Sequence, residues 1–149
     1  MEKPQITWCA KLRKQETFEN GERFYAGTYV DSEPLLVDIQ LWNNRYGLTD
    51  VESLKDFDIE LYFDNVEDEA LLDYCSIAIT NKEQISLKRI GSRGIVQFPE
   101  PQIISGEKNN GNPTEAYNNY IGLTLSFAAA GKCLKENDLK SLNFEIVQR

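Results

Sequence analysis

One spacing in the 149-residue chain could arm a hydroxyl nucleophile: Ser105-Gly106-Glu107-Lys108. An SxxK site needs a rigid turn that lays the lysine amine on the serine oxygen, and its family form adds SDN and KTG elements. Neither element occurs, and the four residues fall in a Gly/Asn-rich stretch, so the spacing reads as chance. The chain has no histidine, which removes the commonest general base, the usual Ser and Cys triads, and most zinc and iron sites. G-x-S-x-G, Walker A and G-x-G-x-x-G are absent as well. A glycosidase needs only two carboxylates. Yet Asp58 and Glu60 fall on the polar face of an alternating strand, and nothing marks an acid as buried. The expectation is a non-enzymatic chain with no cofactor and no metal.

Binding chemistry is better represented. Trp42-Asn43-Asn44-Arg45-Tyr46-Gly47 ends a strong strand, and aromatics beside Asn and Arg suit a contact surface or a sugar-stacking platform. The same residues could instead cap the core and make a turn. Tyr117-Asn118-Asn119-Tyr120 carries the same two readings. Between Asp50 and Asp73 the acids, Asp64, Glu67 and Asp68 among them, are dense against a single Lys55. They read as a solvated face, as a docking patch for a basic partner, or as a calcium site, although the run lacks the EF-hand alternation and its glycine. The contact candidates are therefore Trp42, Asn44, Arg45, Tyr46, Asp64, Glu67, Asp68 and Tyr117.

A net charge of -8 and a pI of about 4.6 repel phosphate backbones and anionic lipid. Neither nucleic acid nor membrane is expected as a partner. The basic clusters Lys11/Arg13/Lys14 and Lys88/Arg89/Arg93 lack interleaved aromatics and suit docking onto acidic neighbours at most. Cys9, Cys75 and Cys133 are odd in number and widely spaced, which favours free core thiols in a reducing cell. The opening residues, MEKPQITWCAKL, show no apolar secretory core, so a cytoplasmic protein or a particle assembled in a cytoplasm is expected.

The elements that must position these residues alternate with period two. FDIELYF at 57–63 turns Phe57, Ile59, Leu61 and Phe63 one way. LLVDIQLW at 35–42, YIGLTLSF at 120–127 and LNFEIV at 142–147 repeat the pattern. Weaker strands read at 6–11, 23–30, 75–80, 84–90 and 94–98, with Gly91–Gly94 closing a hairpin. Short helical turns are expected near 64–72 and 50–54. The segment 99–119, with three prolines and five asparagines, reads as turns or a mobile loop, and 11–24 is polar enough to be an arm. The whole, 1–149, is predicted to be one all-β domain, an antiparallel sandwich of Ig-like or jelly-roll-like type.

Residues 37–75, VDIQLWNNRYGLTDVESLKDFDIELYFDNVEDEALLDYC, and 134–147, LKENDLKSLNFEIV, resemble small β-sandwich virion proteins of tailed bacteriophages, in particular structural proteins of crAss-like phages. The likeness rests on short strands, Asn-rich loops and acidity, and covers about half the chain. It implies an auxiliary capsid protein or a ring or collar component near the portal, with capsid, portal or ring subunits, or further copies of itself, as partners. Two alternatives remain at this stage. One is a carbohydrate-binding module using Trp42, Tyr46 and the 105–119 loop. The other is an acidic adaptor or inhibitor whose 50–73 run meets a basic protein.

Overall fold

A computed structural model describes residues 1–11, 15–21, 23–24, 35–64, 66–80, 82–127 and 142–148, and for 11, 15, 16, 18, 23, 24 and 66–68 the backbone alone. Among these residues the strands are β1 (Ile6–Lys11), β2 (Gln15–Glu19), β3 (Arg23–Phe24), β4 (Leu35–Asn43), β5 (Phe57–Phe63), β6 (Cys75–Ile79), β7 (Ile85–Ser86), β8 (Lys88–Ile90), β9 (Arg93–Val96), β10 (Tyr120–Phe127) and β11 (Leu142–Gln148). They form two antiparallel sheets, β2-β1-β4-β10-β6-β7 and β3-β11-β5-β9-β8. The chain is an all-β sandwich.

Alternation places the core between the sheets, because one side of each long strand (β4, β5, β10 and β11) is apolar. From the six-stranded sheet come Trp8, Val37, Ile39, Leu41, Ile77, Leu123, Leu125 and Phe127; from the five-stranded sheet come Phe57, Ile59, Leu61, Phe63, Val96, Leu142 and Phe144. Trp8 lies fully buried with its ring 5.3 Å from that of Phe144, so these two side chains join the sheets directly. Each such side chain contributes roughly 1.5–3 kcal/mol on burial. Cys9 and Cys75 are buried and form no disulfide; Cys133 falls outside the described residues. Burial, with help from Asp73, pushes the Cys75 thiol up to about 12.

Four expectations need correction. The described part of 11–24 is no arm: Gln15–Glu19 pairs with β1 along its length, with Trp8 opposite Phe18. Polar side chains suit an edge strand, which has only one neighbour to satisfy. Residues 50–54 do not coil. Val51 bridges Glu2, and Leu54 bridges Ile104. The run 84–90 is two strands, not one: β7 belongs to the six-stranded sheet and β8 to the other, with the chain crossing at Leu87. The segment 99–119 is ordered by long-range bonds, described below. The helical turns expected at 64–72 are a 3-10 helix, Val66–Tyr74. Of the strand expected at 23–30, only Arg23–Phe24 lies within the described residues.

Candidate functional site

The chain leaves β4 through a tight reversal. Asn44 and Tyr46 both adopt left-handed backbone, with φ of 60° and 61°. Asn tolerates this conformation through its short polar side chain, whereas a bulky tyrosine there is strained by about 1–2 kcal/mol. What holds the reversal is a set of asparagines. The Asn44 Nδ2 donates to the carbonyls of Thr49 at 2.8 Å and Gly106 at 2.9 Å. The Asn109 Nδ2 donates to the Asn44 carbonyl at 2.8 Å, and its Oδ1 accepts from the Tyr46 amide at 3.2 Å.

Two further asparagines, both buried, extend the set. Asn43 uses both ends of its amide. Its Oδ1 accepts from the Gln5 amide at 2.9 Å, and its Nδ2 donates to the carbonyls of Glu52 at 2.9 Å and Ile104 at 3.2 Å. Asn119 donates to the carbonyls of Ser105 at 3.0 Å and Glu107 at 2.8 Å. Irregular backbone near a core needs partners for its polar groups, and here side-chain amides supply what a neighbouring strand would. The 51–54 and 104–106 segments add backbone bonds of their own, Val51 to Gly106 at 2.8 Å and a reciprocal pair between Leu54 and Ile104 at 2.9 Å. Gly106 is required there, since a Cβ would run into the Val51 carbonyl.

The same loop covers the outside of the six-stranded sheet. Trp42 points away from the main core, as alternation demands, yet it is fully buried. Together with Cys9, Ala116 and Tyr120 it forms a second apolar cluster. Its ring stacks on Tyr120 at 4.6 Å and 27°, and its Nε1 donates to Gln40 at 3.0 Å. The Arg45 guanidinium lies 4.9 Å from both the Trp42 and the Tyr46 rings, and its Nη1 donates to the Cys9 Sγ at 2.7 Å. Arg45 is thereby a clamp that ties the reversal to the sheet through cation–π contacts.

The contact candidates therefore divide. Trp42 and Asn44, expected on a contact surface, are buried and serve the fold; that expectation is corrected. Tyr46 and Tyr117 are exposed at 61% and 67%, and Leu48, which sequence reasoning missed, at 91%. A single apolar residue in a polar turn gives no periodic signal, so nothing in the sequence marked Leu48. Tyr117 borders a cleft of about 400 Å³ lined by Glu107, Lys108, Asn109, Asn110, Glu115 and Asn118. Asp64 stands beyond the far end of β5 and accepts a 2.8 Å bond from Asn143, so it braces β5 against β11. The side chains of Glu67 and Asp68 lie outside the described residues.

No protein-family model, curated protein or solved structure matches the chain. Its chemistry must be read from its own groups. Among the described side chains, the acids of 50–73 lie before β5, on it, just after it and on the 3-10 helix. Glu69 and Asp73 pair with Arg89 at 3.6 and 2.7 Å, and the Asp50 carboxylate accepts from the Lys108 amide at 2.9 Å. Among the described residues, no three acid or thiol groups converge to hold a metal. On the outside of the five-stranded sheet, Arg93 bridges Glu60 at 3.1 Å and Glu145 at 2.9 Å, and covers the Tyr62 ring at 4.1 Å. The bond to Glu145 chiefly holds the guanidinium above its ordinary value. Burial, then the Glu145 charge, raises the Tyr62 phenol. Lys88, Arg89 and Arg93 were grouped as one basic cluster; Arg89 and Arg93 are spent on internal pairs.

Proposed function

We propose that the chain is a non-enzymatic structural module of a tailed-phage particle, an auxiliary capsid or portal-proximal ring protein, that docks on neighbouring subunits through the loop end bearing Tyr46, Leu48 and Tyr117. The supporting observation is the pairing of exposed apolar side chains with loops whose own polar groups are already satisfied by buried asparagines. A surface held in one shape loses little conformational freedom when a partner settles on it. Tyrosine suits such a surface, offering a large contact area with few torsions to freeze. A strained Tyr46 held in place by Asn109 and Arg45 fits the same reading, because backbone strain persists where the surroundings fix it. The resemblance to virion proteins supplies the partner class.

Quantitative mass spectrometry of purified particles tests this proposal. The chain is expected at a fixed copy number per particle, and Tyr46→Ala/Tyr117→Ala together should lower its incorporation while leaving the isolated domain folded. Absence from particles, or full incorporation of the double variant, refutes it.

The cleft beside Tyr117 favours a second reading, a carbohydrate-binding module. A polar cleft of this size next to an exposed ring has the makings of a sugar subsite, though without Trp42, which cannot reach solvent. A glycan array probed with the native chain and with Tyr117→Ala decides it. A signal lost in the variant supports a sugar, and no signal on any glycan rejects one.

A further inference from the structure

We propose that Asn110 is a site of spontaneous modification in the folded chain, converting through a cyclic imide to aspartate and isoaspartate, while the fold protects the second Asn-Gly pair, Asn20-Gly21. The reaction needs only the two residues and water. The Gly111 amide nitrogen gives its proton to solvent and attacks the Asn110 Cγ. A C–N bond forms, the carboxamide nitrogen leaves as ammonia, and the ring closes. Water then adds to either imide carbonyl and one C–N bond breaks, giving aspartate or isoaspartate. Glycine after the asparagine favours closure, because it has no Cβ to obstruct the approach and its backbone reaches unusual angles freely. Asn112, which precedes Pro113, cannot react this way, since proline has no N–H.

The two Asn-Gly pairs differ in what holds them. The Asn20 Oδ1 accepts from the Ile146 amide at 2.8 Å and from the Trp8 Nε1 at 3.4 Å, and the Gly21 amide donates to the Phe144 carbonyl at 2.9 Å. Those partners sit on β11 and β1. Both the electrophile and the nucleophile are freed only when the bonds to β11 and β1, which tie the turn to core strands, are broken. At Asn110 every bond is local. Its Oδ1 accepts from the Asn112 amide at 2.9 Å, its Nδ2 contacts the Glu115 carboxylate, and the Gly111 amide donates to the Asn109 Oδ1 at 2.9 Å. Both asparagine side chains are exposed, Gly21 is half-buried and Gly111 is buried, so the difference between the pairs lies in the partners of their bonds. The segment as a whole is pinned through Asn109 to Asn44 and Tyr46, but opening the Asn110-Gly111 turn alone leaves those bonds intact and takes far less free energy than parting core strands. The remaining shield is the Tyr46 ring, which lies so close over Gly111 (φ +74°) that a Cβ there would strike it. The product puts a carboxylate where a donor met Glu115, so modification sets like charges together at the rim of the cleft.

The test follows both pairs in one sample. Folded chain and urea-unfolded chain are incubated at mildly alkaline pH. Peptides are then mapped for the mass gain of exchanging NH for O and for isoaspartate methylation. Expected is conversion at Asn110 in the folded chain with Asn20 slower by about tenfold or more, and comparable rates at both sites once unfolded. Asn110→Gln should remove the signal from its peptide, and Tyr46→Ala should speed conversion at Asn110. Equal rates at the two sites in the folded chain, or an Asn110 that reacts only after unfolding, overturn the proposal. An unchanged rate in Tyr46→Ala overturns the shielding role of the ring.

Discussion

Replacing Asn119 by leucine tests whether buried amides, rather than apolar contacts, hold the loop end. The side chain is 4% exposed and leucine nearly matches its size, so the change removes a donor without opening a cavity. Two good bonds disappear, to Ser105 at 3.0 Å and Glu107 at 2.8 Å; the contact with the Asn43 carbonyl at 3.4 Å is too long to add much. A made hydrogen bond contributes about 1 kcal/mol net, and a carbonyl left dry costs about 1–3 kcal/mol. Glu107 is exposed and lines the adjoining cleft, which limits the second figure for that carbonyl. The expected loss is about 2–3 kcal/mol. With a urea slope of about 2 kcal/mol per molar, the unfolding midpoint should fall by roughly 1–1.5 M at unchanged slope. Hydrogen exchange must locate the damage, with protection lost first at 104–111 and retained in β5. Asn119→Asp should do at least as much harm, since a carboxylate would face the same carbonyl oxygens. An Asn119→Leu midpoint within about 0.3 M of the native one, or loosening that begins in β5, would refute the reasoning.

Three further outcomes are expected. Phe144→Ala empties the contact that joins the sheets through Trp8 and should cost about 3–5 kcal/mol, with a thermal midpoint lower by roughly 10 °C for a domain of this size; a calorimetric scan reads it. The raised phenol of Tyr62 means that the folded chain holds that proton more tightly than the unfolded chain, whose value is near 10.0. Its contribution to stability is complete below that pH and lost as pH climbs through the folded value, so chemical unfolding above pH ~10 should show a shallower decline in Tyr62→Phe than in the native chain. Tyr46→Gly relieves the left-handed strain but forfeits the Arg45 contact, effects of about 1 kcal/mol each; urea midpoints should nearly coincide, while the proposed docking onto particles should be lost.

What could be read from the sequence was whatever repeats with a period. FDIELYF and YIGLTLSF became β5 and β10 residue for residue, because each buries one face and leaves the other half-buried. Non-periodic burial could not be read. Alternation turned Trp42 outward, and the arrival of Ala116, with Tyr120 and Arg45 against its ring, buried it. The asparagines of 99–119 carry a strong local preference for turns, and that preference was met. Their amides, however, are spent on Ser105, Glu107 and Asn44, so a stretch with the composition of a mobile loop is pinned in place. The edge strand β2 and the bridges at Val51 and Leu54 were hidden for a similar reason: pairing is decided by backbone neighbours, which polar sequences do not advertise.

The arrangement divides labour between the two faces of β4. Its inward side chains, Val37, Ile39 and Leu41, belong to the sandwich core and specify the fold. Its last residues point the other way or leave the strand, and Trp42, Asn43 and Asn44 each bind a different part of the loop end while Arg45 ties it back to Cys9 of β1. Any change that shifts β4 therefore moves the reversal bearing Tyr46 with it. The converse does not hold, because Tyr46 and Leu48 reach solvent without entering the core. Substitutions at those exposed positions are free to alter what the surface meets while leaving the sandwich intact, which makes them the place to separate recognition from stability.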